Sequence, residues 1–529
     1  MHDETAPGMT VPFETLNPAV LSYIKELEAR YTQQLREIKN GYIILKEKYD
    51  LLIYKRFVRS AERLLADGKQ PLLFNAEEIK TVTVPENTGG GFEEVKSHAR
   101  RKAGRKAINP KIPREEKIID LEESEKTCAC GSNLTRIGEE TNEKLHIEPP
   151  RIYAVKTIRP KYACRHCEGT ADEEKKTVRV APAEPSVIPK SIVSPSLLST
   201  VIVQKYEDHL PFYRQEKQFA RIMVTISRQD MSNWQRLAYN KIEPLFGLME
   251  ETLKSGPVIQ MDETTALVMG EEGRDDTQKS YVWVALGGPP GKKTAVYKYR
   301  RTRCGEHAKK LLEGYGGYLQ TDGYAGYDSA LKGNGKIIHA GCFAHARRNF
   351  FEAAQVNTNT GTAKKGVEFI KTLYVIESKL RKKYGGEEDL KKFCRVRRLC
   401  VSRPLKDFKE WLVNTKDCVP PSTLLGKAVC YSLSQWDKLV RYIESPYLTP
   451  DNNACENAVR PFVLGRKSWM FNKSPEGAES SCGMYSLIQT AKLNGLNPFD
   501  YLKTLFEKAP YASSREDWEK LLPWNIFKI

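Results

Sequence analysis

Apolar positions recur every seven residues near the start of the chain. One row consists of Ile24, Tyr31, Ile38, Leu45 and Leu52, and a second of Leu35, Tyr42 and Tyr49. This spacing predicts a helical coiled coil within residues 1–80, although Gly41 weakens the stripe. An amphipathic helix packed on its own domain would show the same pattern, so both interpretations stay open.

A helical pattern also covers residues 181–255. It predicts helices from Pro195 to Tyr206 and from Pro211 to Ile222, and a third that Ser227 begins, with Asp230 as a capping-box partner. Two helices joined by a short turn favour a helix-turn-helix-like DNA-binding region. Its candidate DNA contacts are Arg228, Gln229, Ser232 and Asn233. A plain helical hairpin around Trp234 would fit the same periodicity.

Beyond Gly256 the pattern changes to strands. Apolar runs predict strands at 258–262, 281–286, 294–297 and 317–322, with a helix at 307–313 before the last of them. Three strands, a helix and a fourth strand are the order of an RNase H-like α/β core, which we place at residues 256–480. Asp262 ends the first strand and Asp322 follows the fourth, so their carboxylates should meet at one end of the sheet.

Glu456 is the candidate third carboxylate. Asp451 or Asn452 can cap a helix that carries Glu456 and Arg460 on one face. The segment between Asp322 and Glu456 is too long for a loop and predicts a helical insertion at about 350–450. Its clearest helical stretches are 364–384 and 424–443.

Three carboxylates gathered at one site suit divalent metal chemistry. Mg²⁺, or Mn²⁺ in its place, prefers oxygen ligands and can assist an in-line displacement at phosphorus. Taken singly, a strand-end Asp is more often a turn residue or a helix cap, and Glu263 and Asp328 are nearby decoys. The order and strand context of Asp262, Asp322 and Glu456 together predict a catalytic metal site.

The charge balance favours a polyanionic partner. Lys and Arg total 84 against 67 acidic residues, a formal net charge of +17, and such an excess favours nucleic acid. A basic run predicts a linker at 81–120. Further candidate DNA contacts flank the predicted catalytic site at Arg347, Arg348, Arg460, Arg466 and Lys467.

Two close cysteine pairs predict a structural zinc ribbon at residues 121–180. Its four candidate thiolate ligands are Cys128, Cys130, Cys164 and Cys167. The first pair has one intervening residue instead of the usual two, so His166 or an outside residue could replace a ligand. Cys342 and His345 also have ligand-like spacing, but no second pair is evident, so we expect a structural role for them.

Hydropathy and the N-terminus indicate a cytoplasmic, nucleoid-associated protein without a membrane span. The sequence contains no run of roughly 18 apolar residues, and residues 1–4 lack the basic start of a secretion signal.

Several motifs in order resemble the transposases of the insertion-sequence-66 family over nearly the whole chain. In the first half they are Ile137-Gly-Glu-Glu140, Arg159-Pro-Lys-Tyr-Ala-Cys164 and Lys205-Tyr-Glu-Asp-His-Leu-Pro-Phe-Tyr-Arg214. In the predicted catalytic region they are Met261-Asp-Glu-Thr264, Thr321-Asp-Gly-Tyr324, Gly341-Cys-Phe-Ala-His-Ala-Arg-Arg348 and Glu456-Asn-Ala-Val-Arg-Pro461. Near the end they are Thr490-Ala-Lys-Leu-Asn-Gly495 and Leu521-Leu-Pro-Trp524.

The resemblance implies a multidomain α+β protein. Its parts would be an N-terminal coiled coil, a zinc domain, a helical DNA-binding region, an RNase H-like core with a helical insertion, and a helical tail at 481–529. The implied activity is metal-dependent cleavage and transfer of DNA strands at the terminal inverted repeats of a bacterial insertion sequence. Implied partners are element ends, target DNA, further copies of the chain and small accessory proteins of the same element.

Two alternatives remain at this stage. A Tyr or Ser recombinase would form a covalent protein–DNA bond and would leave the strand-end carboxylates without a purpose. A catalytically silent, zinc-containing DNA-binding regulator would keep the binding modules and would not need all three carboxylates.

Overall fold

The computed structural model describes residues 17–57, 152–163, 178–356, 361–386 and 389–527. The chain forms two compact units, the smaller of which is Thr83–Ala183. Met1–Val82 and Glu184–Ile529 together form the larger unit. The predicted basic linker and the four predicted zinc ligands lie outside the described residues. No helix within the described ranges is long and apolar enough to cross a membrane.

The described part of the smaller unit is a two-stranded antiparallel sheet. Strand β1 (Lys161–Ala163) pairs with β2 (Val178–Val180), and Lys161 faces Val180. The Arg159 guanidinium donates to the carbonyl of Ala181 at 2.9 Å, which extends the contact beyond the paired residues. In the sequence, the two strands lie on either side of the second predicted cysteine pair.

A single 40-residue helix, α1 (Pro18–Phe57), contains both rows of heptad positions, and Gly41 does not break it. Most of these apolar side chains are exposed, for example Ile38 at 70% and Leu45 at 68%. Glu47 is buried, and it accepts a hydrogen bond from the Leu424 backbone N–H at 2.9 Å. The helix therefore touches the rest of its unit locally and leaves its apolar stripe uncovered.

Four helices follow the smaller unit, and three of them match the helices predicted from periodicity. They are α2 (Pro195–Tyr206), α3 (Phe212–Arg221), α4 (Arg228–Lys241) and α5 (Glu243–Lys254). Ser227 and Asp230 form the predicted capping box at the start of α4. Trp234 is buried in the same helix, so α4 has a core face and an exposed face.

A mixed five-stranded sheet lies at the centre of the larger unit, in the order β5-β4-β3-β6-β7. The strands are β3 (Val258–Leu267), β4 (Lys279–Gly287), β5 (Thr294–Arg300), β6 (Tyr318–Gln320) and β7 (Ile338–Ala340). Strands β3, β4 and β5 are antiparallel neighbours, whereas β6 is parallel to both β3 and β7. Together with the helices, this sheet makes the chain an α+β protein.

Alternation along the central strands builds two separate hydrophobic clusters. On β4, Val282 and Val284 pack into one cluster while Trp283 and Ala285 pack into the other. This period-two alternation gives the sheet two apolar faces, and helices cover both of them. On the second face lie α6 (Gly305–Leu311) and α7 (Ala325–Leu331), and on the first face lie α13 (Asn453–Trp469), α14 (Pro475–Leu493), α15 (Pro498–Lys508) and α16 (Arg515–Lys520).

The segment between β7 and α13 is largely helical and has its own hydrophobic cluster. Its helices are α8 (Phe343–Val356), α9 (Thr362–Tyr384), α10 (Leu390–Cys418), α11 (Leu424–Ser434) and α12 (Trp436–Val440). The helix predicted at 424–443 is interrupted, because the chain turns at Gln435 and continues as α12 and a 3₁₀ turn, Arg441–Glu444. The interruption lets Trp436, Leu439 and Tyr442 all enter the cluster.

Candidate active site

Sheet register places Asp262 and Asp322 at matching positions. Strands β3 and β6 run parallel, with Gln260 opposite Gln320. Each aspartate follows its glutamine by two residues. Asp322 lies just past the end of β6, whereas Asp262 is in the middle of β3, which continues to Leu267 instead of ending at Asp262 as the sequence predicted, because it stays paired with β4. The sheet therefore brings together two residues that are 60 positions apart in the sequence.

The two glutamines also tie the sheet to the segment that leads into α13. Gln260 Nε2 donates to Gln320 Oε1 at 2.8 Å, and Gln320 Nε2 donates to the Thr449 carbonyl at 2.7 Å. Both side chains are buried, and buried amides are costly unless they are hydrogen-bonded. This pairing holds the entry to α13 against the strand ends.

Asn452 completes this attachment. It is the residue before α13, as the sequence predicted for Asp451 or Asn452, but its side chain makes no capping hydrogen bond. Instead, its Nδ2 donates to the carbonyl of Met261 at 2.9 Å, next to Asp262. Glu456 lies in the first turn of α13. One buried amide thus connects the backbone beside Asp262 to the helix that carries Glu456.

The three carboxylates interact electrostatically. Burial raises the pKa of Asp262 to about 7, and the negative charges of Glu263, Glu456 and Asp322 add to that rise. A carboxyl group that is buried among other carboxylates resists ionisation unless a cation is present. The charges of Asp322 and Glu456 therefore act on Asp262.

Neighbouring polar groups support two of these positions. Glu263 accepts hydrogen bonds from Arg303 Nε at 2.6 Å and from the Tyr327 hydroxyl at 2.5 Å. The positive charge of Arg303 is therefore paired with the carboxylate of Glu263. The Arg303 guanidinium also stacks over the Tyr324 ring at 3.9 Å. The Tyr324 backbone N–H in turn donates to Asp322 Oδ1 at 3.0 Å. Glu263 therefore has a structural role, because it holds Arg303 and Tyr327 by hydrogen bonds.

On the other side of Glu456 lies the start of α8. His345 Nδ1 is 3.7 Å from Glu456 Oε1, and Arg348 Nη2 is 3.6 Å from Glu456 Oε2. His345 Nδ1 and Glu456 Oε1 are both buried and have no hydrogen-bond partner among the described residues. Cys342 joins them in a group whose potential ligand atoms all lie within 4.8 Å of one another.

These residues fit a divalent cation. His345 Nδ1 and Glu456 Oε1 are buried and have no hydrogen-bond partner among the described residues. Burial and neighbouring charges raise the pKa of nearby Asp262. A positive ion would bind both atoms and offset the negative charge. Asp262, Asp322 and Glu456 offer the oxygen atoms that Mg²⁺ and Mn²⁺ prefer.

The predicted DNA contacts occupy different environments. Arg228, Gln229 and Ser232 are exposed at the start of α4, and Asn233 beside them is half-buried. Arg348, Arg460 and Lys467 are exposed, whereas Arg347 is half-buried and its guanidinium lies 5.5 Å from the Phe351 ring centroid. Arg466 differs from the rest, because its guanidinium donates to Thr264 Oγ1 at 3.1 Å and Thr265 Oγ1 at 2.8 Å on β3.

Sequence reasoning missed the residues that assemble the site. Gln260, Gln320 and Arg303 were not singled out, Asn452 was expected only as a helix cap, and His345 was assigned a structural role. One signal was available: a glutamine inside an apolar strand run, two positions before an aspartate, occurs at both Asp262 and Asp322. Pairing of those amides across the sheet depends on strand order, which a single sequence does not give.

Three family models match this chain. The model described as Transposase IS66 family matches residues 190–480, and the IS66 C-terminal element matches residues 486–524. The zinc-finger binding domain of transposase IS66 matches residues 125–168, a range that contains all four predicted zinc ligands.

Curated relatives align over most of the chain. An uncharacterized protein of Sinorhizobium fredii, y4jD, is 30% identical over 94% of this chain and 98% of its own length. A second uncharacterized protein of the same organism, y4hP, is 30% identical over 82% of this chain and 78% of its own length. With the family model covering more than half of its residues, the chain belongs to the IS66 family of transposases.

Proposed function

We propose that this protein cleaves and joins DNA at the ends of a bacterial insertion sequence, with Asp262, Asp322 and Glu456 as its catalytic carboxylates. The observation that supports the proposal is that Asp262 and Asp322, from two parallel strands, and Glu456, from one helix, are near enough for the charges of the last two to raise the pKa of half-buried Asp262. Membership of a transposase family supplies the substrate class.

The strand arrangement supports an RNase H-like interpretation of the core. Three antiparallel strands are followed by two parallel ones in the order β5-β4-β3-β6-β7, with Asp262 on the central strand and Asp322 next to it. The third carboxylate comes from a helix after a long insertion.

The proposed chemistry is phosphoryl transfer to water and then to a DNA hydroxyl. Bound Mg²⁺ or Mn²⁺ would activate the attacking oxygen and stabilise the leaving oxygen of an in-line displacement. Asp262, Asp322 and Glu456 would hold the ions, and the Gln260–Gln320 pair with Asn452 keeps the three carboxylates in register. Arg348, exposed beside Glu456, would contact a DNA phosphate.

DNA binding is proposed to involve three further parts of the chain. The exposed start of α4 offers Arg228, Gln229 and Ser232, with Asn233 beside them, to a DNA groove. The cysteines of the matched zinc-finger range would bind structural Zn²⁺. Arg460 and Lys467 on the exposed side of α13, together with Arg347, would contact the backbone. Arg466 would instead hold α13 on β3, since its guanidinium is engaged there.

The test of this function is metal-dependent cleavage. Full-length protein is incubated with labelled element-end DNA in Mg²⁺, in Mn²⁺ and in EDTA, and the products are resolved under denaturing conditions. We expect nicked and joined strands only with a divalent ion, and no protein attached to DNA after denaturation. A covalent adduct would instead establish a Tyr or Ser recombinase, and specific binding without cleavage in any metal would support a silent regulator.

A further inference from the structure

We propose that His345 is a metal ligand of this site, and that its Nδ1 and Glu456 Oε1 share one divalent cation. The inference rests on the proposed function and extends it, because it adds an imidazole nitrogen to a site otherwise formed by carboxylate oxygens. It assigns a chemical role to a residue whose spacing alone had suggested only a structural one.

The separation of the two atoms suits a shared ion. Ligand atoms about 2.1 Å from one ion lie roughly 3.0–3.6 Å apart for angles of about 90–120°. His345 Nδ1 and Glu456 Oε1 are 3.7 Å apart, so a small movement of either side chain meets this condition. Both atoms are buried and lack a hydrogen-bond partner among the described residues, a costly state that an ion between them would relieve.

The partners of Glu456 leave this oxygen available. Arg348 lies near the opposite oxygen, Oε2, at 3.6 Å. His345 and Arg348 are three positions apart on α8 and therefore share one face of that helix. The helix thus presents a nitrogen ligand to one carboxylate oxygen and a guanidinium to the other, which leaves Arg348 free to turn toward a phosphate when the ion is bound.

Cys342 has a different role in this group. Its fully buried sulfur accepts the backbone N–H of Asn452 at 3.2 Å and also that of His345. The first contact joins the start of α8 to the residue before α13, and the second closes the first turn of α8. Cys342 is therefore a positioning residue that sets His345 opposite Glu456, and its sulfur does not need to reach the ion.

A nitrogen ligand changes the expected metal preference. Mg²⁺ favours oxygen ligands, whereas imidazole binds transition metals more tightly. A site that includes His345 should therefore prefer Mn²⁺ to Mg²⁺ more strongly than a site of carboxylates alone. Replacing His345 should weaken Mn²⁺ binding by roughly tenfold or more and should affect Mg²⁺ binding less.

The test is pulsed electron paramagnetic resonance of tag-free, full-length protein with Mn²⁺ as the only added metal. We expect nuclear modulation from a coordinated imidazole nitrogen in the wild type, and its loss in His345→Ala and in His345→Gln. His307→Ala is the matched control: this imidazole hydrogen-bonds Thr302 Oγ1, and its removal should leave the modulation unchanged.

The possible outcomes separate this inference from the proposed function. One outcome is that Asp262→Ala no longer binds Mn²⁺ while the wild-type protein binds it without nitrogen coupling. That result would overturn the role of His345 and leave the carboxylate site intact. Nitrogen coupling that persists in both His345 variants would overturn it as well. If wild-type protein binds no Mn²⁺ at this site, the metal chemistry of the proposed function fails together with the inference.

Discussion

At the scale of the single residue, Asp262 makes folding depend on pH. Its pKa rises from about 3.8 in the unfolded chain to about 7 in the folded protein, because it is buried beside other carboxylates. The folded state therefore binds the proton more tightly than the unfolded state. The stability that protonated Asp262 contributes is fully present below the pKa of Asp262 in the unfolded chain. It is lost as the pH rises through the pKa of Asp262 in the folded protein.

Asp262→Asn should consequently stabilise the metal-free protein in alkaline solution. We expect a melting temperature on the order of 5 °C higher at pH 8, and a gain that shrinks toward zero near pH 4. Asp328→Asn is the control of opposite sign, because Lys438 and His339 lower the pKa of Asp328, so removing that charge should destabilise at pH 8. A melting temperature of Asp262→Asn that is unchanged across this range in calorimetry would contradict the proposed burial of charge.

Residue-level prediction can use local context for some residues and not for others. Asp262 and Asp322 could be selected because each follows an apolar run in the sequence, and their catalytic role stays a prediction. Arg303 could not, since its partner Glu263 is 40 positions away and is brought near only by the packing of the sheet. Arg466 resembled a DNA contact by charge alone, and only the fold shows it hydrogen-bonded to β3.

At the scale of the element, Gly323 links the sheet to the helical insertion. A Cβ atom at this position would lie 2.7 Å from Cε2 of Tyr431 on α11, closer than side-chain atoms can pack. The glycine next to Asp322 is thus explained by the close approach of another helix. A sequence can show the glycine but not the tyrosine 108 positions later.

Gly323→Ala should displace Asp322 or α11 and lower DNA cleavage by roughly tenfold or more, since small misplacements of catalytic groups are costly. The double variant Gly323→Ala with Tyr431→Ala removes the clash and should recover part of the activity. Initial cleavage rates of the two variants measure the effect. Equal rates for Gly323→Ala and the wild type would show that the contact does not position Asp322.

The exposed face of α4 supports a prediction about DNA binding. Arg228→Ala and Gln229→Ala should each weaken binding to element-end DNA by roughly fivefold to a hundredfold, as expected for side chains at a DNA groove. Both residues are exposed, so thermal stability should be unchanged. Fluorescence anisotropy with specific and scrambled DNA provides the measurement. Unchanged affinity in both variants would favour the plain helical hairpin.

Periodicity predicted the type and approximate bounds of most elements. Helices α2 and α4 and strands β4, β5 and β6 lie close to the bounds that apolar spacing and capping residues predicted, whereas β3 continues five residues past its predicted end at Asp262. The break at Gln435 was not predictable, because the helical pattern continues through it and only the packing of Trp436 and Tyr442 explains the turn. Local pattern specifies an element, whereas packing decides where it bends.

At the scale of the whole molecule, the uncovered stripe of α1 predicts self-association. Ile38→Glu with Leu45→Glu places two charges on this exposed apolar stripe and should shift the protein to a smaller species in sedimentation velocity. Lys39→Glu changes an exposed position outside both heptad rows and should leave the distribution as in the wild type. An identical sedimentation profile for all three proteins would mean that α1 does not join copies of the chain.

The central claim is that Asp262, Asp322 and Glu456 act together in strand transfer, and joining of pre-cleaved element ends tests it most directly. Wild type, the three single Ala variants and the control Asp328→Ala are given end DNA with a free 3′-hydroxyl, target DNA and Mn²⁺. The account predicts joined product with the wild type and Asp328→Ala, at least about a hundredfold less with each of the other three, and similar DNA binding throughout. Joining at the wild-type rate by any of the three carboxylate variants would contradict it.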